Sequence, residues 1–208
     1  MKILNELKKP LLVTLVLMVL CGLIYPLLLT GIGQLLFPRQ ANGSLITVNG
    51  KAVGSAIVGQ EFTDNRFLRG RPSAIRYNTY TAADAVDGTY AGVGSGSANY
   101  GPSNPALAQR VQADMDAFLA QHPDLTPADL PADLMTASGS GLDPDVSPAA
   151  AAVQLVQLAK NTGLSEEMLA QFVAENTKGK FLGVFGEARV NVLGVNLAIA
   201  QELCLLPR

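Results

Sequence analysis

Residues 10–38 read PLLVTLVLMVLCGLIYPLLLTGIGQLLFP, a run without Asp, Glu, Lys, Arg or His. A helix of about 20 residues crosses the hydrocarbon core of a bilayer, where each backbone N–H and C=O has to be paired within the segment. The run exceeds that length, so residues 11–37 read as one transmembrane helix with Pro26 as a possible kink. A cleaved signal peptide is the competing reading. Its apolar region spans about 7–15 residues, and Pro38-Arg39-Gln40 is a poor cleavage site. A soluble helix this long without a polar face is rarer still. The expectation is a retained anchor.

Working outward, Lys2, Lys8 and Lys9 precede the span and only Arg39 follows closely. The bias places residues 1–10 in the cytoplasm and residues 38–208 outside it, on the periplasmic side, as one extracytoplasmic domain. A domain of that size can bury a substantial core. The formal net charge of the chain is −2. Its Lys and Arg are scattered without a run, which argues against a nucleic-acid partner. Cys21 lies inside the span and Cys204 near the C-terminus, so both are expected as free thiols.

The domain opens with Leu45-Ile46-Thr47-Val48 and residues 52–58 on either side of Asn49-Gly50, the signature of a type I′ hairpin. Residues 59–102 are rich in Gly, Ser, Asn, Tyr and Arg and lack a sustained apolar period, so they read as a long functional loop or irregular sheet. Asn104-Pro105 then starts an amphipathic helix through Leu107, Val111, Met115 and Phe118 to about Gln121. His122 follows as a solvated capping residue. Ser147-Pro148 opens a second helix to about Asn161 with Gly163 as its stop, and Ser165-Glu166-Glu167 opens a third. Phe181-Leu182-Gly183-Val184-Phe185, Arg189-Val190-Asn191-Val192-Leu193 and the apolar stretch to Leu206 are strand or strand-to-helix candidates. An early hairpin, middle helices and a late β segment give an α+β domain behind the single transmembrane helix.

Catalytic constellations are weak. Ser95-Gly96-Ser97 and Ser138-Gly139-Ser140-Gly141 invite a hydrolase reading, yet a serine nucleophile needs an oriented base, and His122 is the one histidine. Clustered His and Cys ligands for zinc or a redox metal are missing from the pattern. Asp143-Pro144-Asp145 is better read as a solvated turn than as a hard-cation site. Neither Gly92-x-Gly94-x-Gly96 nor Gly179-Lys180 has the strand, spacing and helix of a phosphate loop.

Several words in order carry a more specific signal: Gly59-Gln60-x-Phe62, Arg71-Pro72-Ser73-Ala74, Gly101-Pro102-Ser103-Asn104-Pro105 and Pro131-Ala132-Asp133-Leu134. Thr136-Ala137-Ser138-Gly139-Ser140-Gly141-Leu142-Asp143-Pro144, Ser147-Pro148-Ala149-Ala150, and Gly186-Glu187 with Arg189-Val190-Asn191-Val192-Leu193 follow them. Together with the anchor, this order resembles the C subunit, KdpC, of the bacterial Kdp potassium-transporting P-type ATPase. Asp145 stands where that family often has histidine, and Ala188 where it usually has proline.

The resemblance implies a non-enzymatic subunit in the bacterial inner membrane. Its implied partners are a channel-like A subunit, an ATP-hydrolysing B subunit and a small F subunit, with K+ as the transported ion. It also implies a catalytic chaperone that raises the ATP affinity of the B subunit, which makes ATP a family-implied ligand. Arg71, Ser73, Asn104, Ser138, Ser140, Asp143, Glu187, Arg189 and Asn191 are its candidate interface or motif residues. The competing functions are an anchored extracytoplasmic hydrolase built on the Ser/Gly segments and a solute-binding domain using residues 59–102.

Overall fold

The computed structural model describes residues 2–87 and 92–206, so residues 88–91 of the long loop segment lie outside the described residues. The chain divides into two compact units, Met1–Leu45 and Ile46–Arg208. In the first, helix α1 (Lys2–Val19) runs through a π-turn at Leu20–Ile24 into α2 (Tyr25–Leu36), followed by the single turn α3 (Pro38–Ala41). From Glu6 to Leu36 the helix has 31 residues and a mean hydropathy of 2.7, long and apolar enough to cross a membrane. Proline has no N–H for the ladder. The π-turn lies directly ahead of Pro26, with the Tyr25 N–H reaching back to the Leu20 carbonyl. The disturbance expected at Pro26 thus coincides with a widened turn.

The hairpin β1 (Leu45–Val48) and β2 (Lys51–Ser55) leads into the second unit. Asn49 and Gly50 adopt φ of 51° and 75°, the two left-handed residues that a type I′ turn requires. Helices α4 (Ala82–Asp87), α5 (Pro105–Gln121) and α6 (Ala132–Met135) come next. Strand β3 (Asp145–Val146) leads to α7 (Pro148–Ala152), α8 (Leu155–Thr162) and α9 (Glu166–Glu175). The chain closes with β4 (Thr177–Lys178), β5 (Arg189–Asn191) and α10 (Val192–Glu202). The antiparallel sheet has the order β3-β5-β4, with Val190 opposite both Val146 and Thr177. Val190 is fully buried, and Leu68, Phe118, Leu158, Leu169, Val195 and Ile199 join it in one apolar core. The fold is α+β.

Capping residues explain the helix starts. Asn104, Ser147, Ser165 and Asn191 each accept a backbone N–H of the first turn. Gly163, at φ 74°, stops α8.

Several expectations are corrected. The helix expected from Ser147 to about Asn161 is broken at Val153 and Gln154, where the Gln154 N–H bonds the Ala151 carbonyl at 3.1 Å and its side-chain amide takes the Ala150 carbonyl at 2.9 Å. His122 is 8% exposed rather than solvated; its ring stacks on Phe118 with centroids 3.9 Å apart, and Nδ1 lies 2.9 Å from the Phe118 carbonyl. Burial holds its pKa below the ordinary histidine value. Residues 181–185 form neither strand nor helix but a tight turn closed by a Phe181–Phe185 bridge. The described part of residues 59–102 holds no strand, yet it is fixed in place, as set out next.

Candidate functional site

Leu68 is the peg on which the long loop hangs: it is fully buried in the core, with Phe67 packed against that core beside it. Two buried amides hold its backbone. Asn196 of α10 accepts the Leu68 N–H at 2.7 Å and donates to the Leu68 carbonyl at 2.9 Å. Gln154 accepts the Arg69 N–H at 2.9 Å and donates to the Arg69 carbonyl at 3.3 Å. Side chains here do what a neighbouring strand would do, so the loop needs no sheet of its own.

Arg71 follows two residues later. Its Nη1 donates to Asp143 Oδ2 at 3.0 Å and its Nη2 to the Thr136 carbonyl at 3.3 Å. Both charged side chains are one-quarter exposed. Asp143 Oδ1 also accepts the Asp145 N–H at 3.1 Å, so the expected turn is present but half-buried and paired, not solvated. Tyr77 donates its hydroxyl to the Arg71 carbonyl at 2.6 Å. Burial first, and then the Asp143 carboxylate, push the Tyr77 hydroxyl up to about 12.

Arg76, Tyr77 and Asn78 all adopt positive φ, at 49°, 53° and 57°. For residues with a Cβ this costs about 1–2 kcal/mol each, so the surroundings have to hold them. Ser73 Oγ accepts the Ile75 and Tyr77 N–H groups at 3.3 and 3.0 Å and donates to the Gly141 carbonyl at 2.7 Å. Asn78 grips Gly94 by both its N–H and its carbonyl. Gly96 N–H and Ser95 Oγ both donate to the Ser140 carbonyl, at 2.7 and 3.0 Å. The backbone here is strained and over-determined.

The 138–144 segment receives the bonds from Arg71, Ser73, Ser95 and Gly96. Ser138 Oγ accepts the Ser140 N–H, and Ser140 Oγ accepts the Leu142 N–H. Gly59 donates its N–H to the Leu142 carbonyl at 2.9 Å. Segments around residues 59, 71–78, 94–96 and 138–144 therefore meet at one node. Beside it, Asp145 binds Arg189 Nε at 3.0 Å and Asn191 Nδ2 at 3.2 Å, while Asn191 Oδ1 caps α10. Exposed Glu187 lines a cleft of about 450 Å³ with Arg71, Asp133, Asp143, Asp145 and Arg189. A cleft of about 330 Å³ includes Glu61, Arg69, Arg71, Arg76, Tyr77 and Asp114 in its lining.

The order of these segments along the chain matches a known protein family. The profile of the family described as K+-transporting ATPase, c chain, matches residues 7–201. The chain belongs to the KdpC family. It is 63% identical over 198 residues to the potassium-transporting ATPase KdpC subunit of Clostridium kluyveri, covering 95% of this chain and 94% of that one. The KdpC subunit of Clostridioides difficile is 53% identical over 207 residues, with 97% and 100% covered. That of Rhodopseudomonas palustris is 48% identical over 202 residues, with 94% and 96% covered.

Of the nine residues marked from the KdpC resemblance, Arg71, Ser73, Ser138, Ser140 and Asp143 build the node, and Arg189 and Asn191 join it through Asp145. Glu187 lies on the cleft, and Asn104 stands apart as the cap of α5. Reasoning from sequence missed Gln154 and Asn196. Their signal is a lone amide within an otherwise apolar run, 149–156 and 192–200.

Proposed function

We propose that this KdpC chain is a non-catalytic accessory subunit of a high-affinity, ATP-driven potassium uptake complex, and that its outer domain works by binding. The N-terminal helix spans the bacterial inner membrane, with residues 1–10 in the cytoplasm and residues 38–208 outside. Lys8 and Lys9 ahead of the span support that orientation. Its partners are the channel-like A subunit, the ATP-hydrolysing B subunit and the small F subunit.

One observation carries the binding role: the polar motif residues are used to hold loops. The Ser73, Ser95, Ser138 and Ser140 side chains bond backbone groups of neighbouring turns, while His122 lies stacked on Phe118. A rigid, strained surface of fixed turns suits recognition of a partner. In this topology the outer domain is across the membrane from cytoplasmic ATP, so any rise in the ATP affinity of the B subunit passes through the anchor or the assembled complex.

The test is potassium-limited growth, with recovery of the complex, in a deletion strain supplied with each variant. Arg71→Ala and Asp143→Ala lower complex recovery and growth together, whereas Ser138→Ala leaves turnover intact. Full growth without any copy of this chain would end the reading. Protease added to intact spheroplasts digests the outer domain; its protection until lysis would overturn the orientation.

A further inference from the structure

The turn joining β4 to β5 presents its apolar residues outward. Phe181, Leu182, Val184 and Phe185 are 70%, 75%, 74% and 64% exposed. Among the other described residues of this domain, the exposed large hydrophobic ones occur singly or in pairs. The turn itself is ordered: Phe181 N–H donates to the Phe185 carbonyl at 2.8 Å, and Phe185 N–H returns to the Phe181 carbonyl at 2.9 Å. Leu182, Gly183 and Gly186 take positive φ to close it. A slack loop would fold such side chains back onto its own domain, and this geometry keeps them out.

We propose that the 181–185 turn inserts into the lipid interface, with anionic phospholipid as its ligand, as a second attachment of the domain to the bilayer. The inference rests on the anchor reading above. Three observations favour lipid over a protein surface. Residues 181–186 carry no polar side chain and so offer no directional hydrogen bond, which protein interfaces use at their rims. Exposed Lys178 and Lys180 lead into the turn and exposed Glu187 follows it, so its approach side is positively charged and matches a negatively charged headgroup layer. The short connection from Leu36 to Ile46 ties this domain to the helix that would lie in the bilayer. Aromatic and aliphatic side chains with lysines beside them are the composition of interfacial insertion.

The experiment uses the full chain in its assembled complex, with Cys21→Ser and Cys204→Ser, in vesicles of phosphatidylcholine and phosphatidylglycerol. An environment-sensitive fluorophore is attached at Val184→Cys, and at Val93→Cys, 80% exposed, for comparison. The expected result is a blue-shifted label at 184 that is quenched by lipid-borne nitroxide and shielded from iodide, with the reverse at 93. Lys178→Glu with Lys180→Glu lowers the nitroxide quenching severalfold. A label at 184 as open to iodide as that at 93 would overturn the inference. So would shielding from both quenchers, which marks a protein partner. Extraction of the chain from vesicles by carbonate would overturn the anchor reading and this inference with it.

Discussion

A Cβ built on Gly59 would stand 2.4 Å from the Asp143 carbonyl oxygen and 2.6 Å from the Tyr77 ring. Gly59 is buried and its φ is not positive, so glycine is needed there for space and not for conformation. Gly59→Ala forces backbone apart at the point where the segments around 59, 77 and 143 meet. The expected loss is about 1–3 kcal/mol of stability, read by denaturant unfolding of the detergent-solubilised chain. An unchanged midpoint would show that the node is looser than described.

Arg71 and Asp143 form a charge-assisted hydrogen bond between half-buried side chains. Such a bond is worth about 1.5–3 kcal/mol when sheltered, and partial exposure brings the expected coupling to about 1 kcal/mol. A double-mutant cycle of Arg71→Ala and Asp143→Ala measures it. Strict additivity of the two losses would mean that the pair is not coupled.

Asn196→Ala removes both partners of the Leu68 backbone, a donor and an acceptor buried in the core. Each unmade bond costs about 1–3 kcal/mol, so this one change outweighs the loss of the Arg71 ion pair. Hydrogen exchange should show the loop around Leu68 opening first. Exchange as slow as in the unaltered chain would contradict the clamp.

Tyr77 gives an alkaline signature. Its hydroxyl ionises near 10 when unfolded and is pushed up to about 12 in the fold. Between those values the unfolded chain releases the proton and the folded one keeps it, so stability is complete below about pH 10 and falls as pH rises through that window. Tyr77→Phe loses about 1 kcal/mol at neutral pH and shows a shallower alkaline decline in melting temperature. Identical slopes would refute this.

His122 gives the opposite limb. Its folded pKa lies below the ordinary 6.5 because burial disfavours the imidazolium. The unfolded chain therefore takes up a proton first as pH falls below about 6.5, and stability falls with it until the folded pKa is passed. His122→Gln flattens the melting profile below about pH 6.5. An unaltered profile would assign the acid limb to other groups.

Local physics made much of this protein legible before folding. The uncharged run from Pro10 to Pro38, the Asn49-Gly50 hairpin, the Asn104-Pro105 and Ser165 caps and the Gly163 stop each depend on residues a few positions apart. Their free energies are decided within a turn or two, or by the solvent in the case of the apolar helix. The order of the motif words was sufficient to point to the KdpC family. Where those words meet was not legible. Arg71 finds Asp143 across 72 positions, and Leu68 finds Asn196 across 128. Pairings of that kind depend on which buried polar groups lack a partner once the core has closed, and no local pattern encodes it. The same logic explains His122 and residues 181–185. Burial of the imidazole followed from a Phe118 side chain one helical turn away lying against the core, and exposure of the apolar turn followed from a short sheet that ends before covering it.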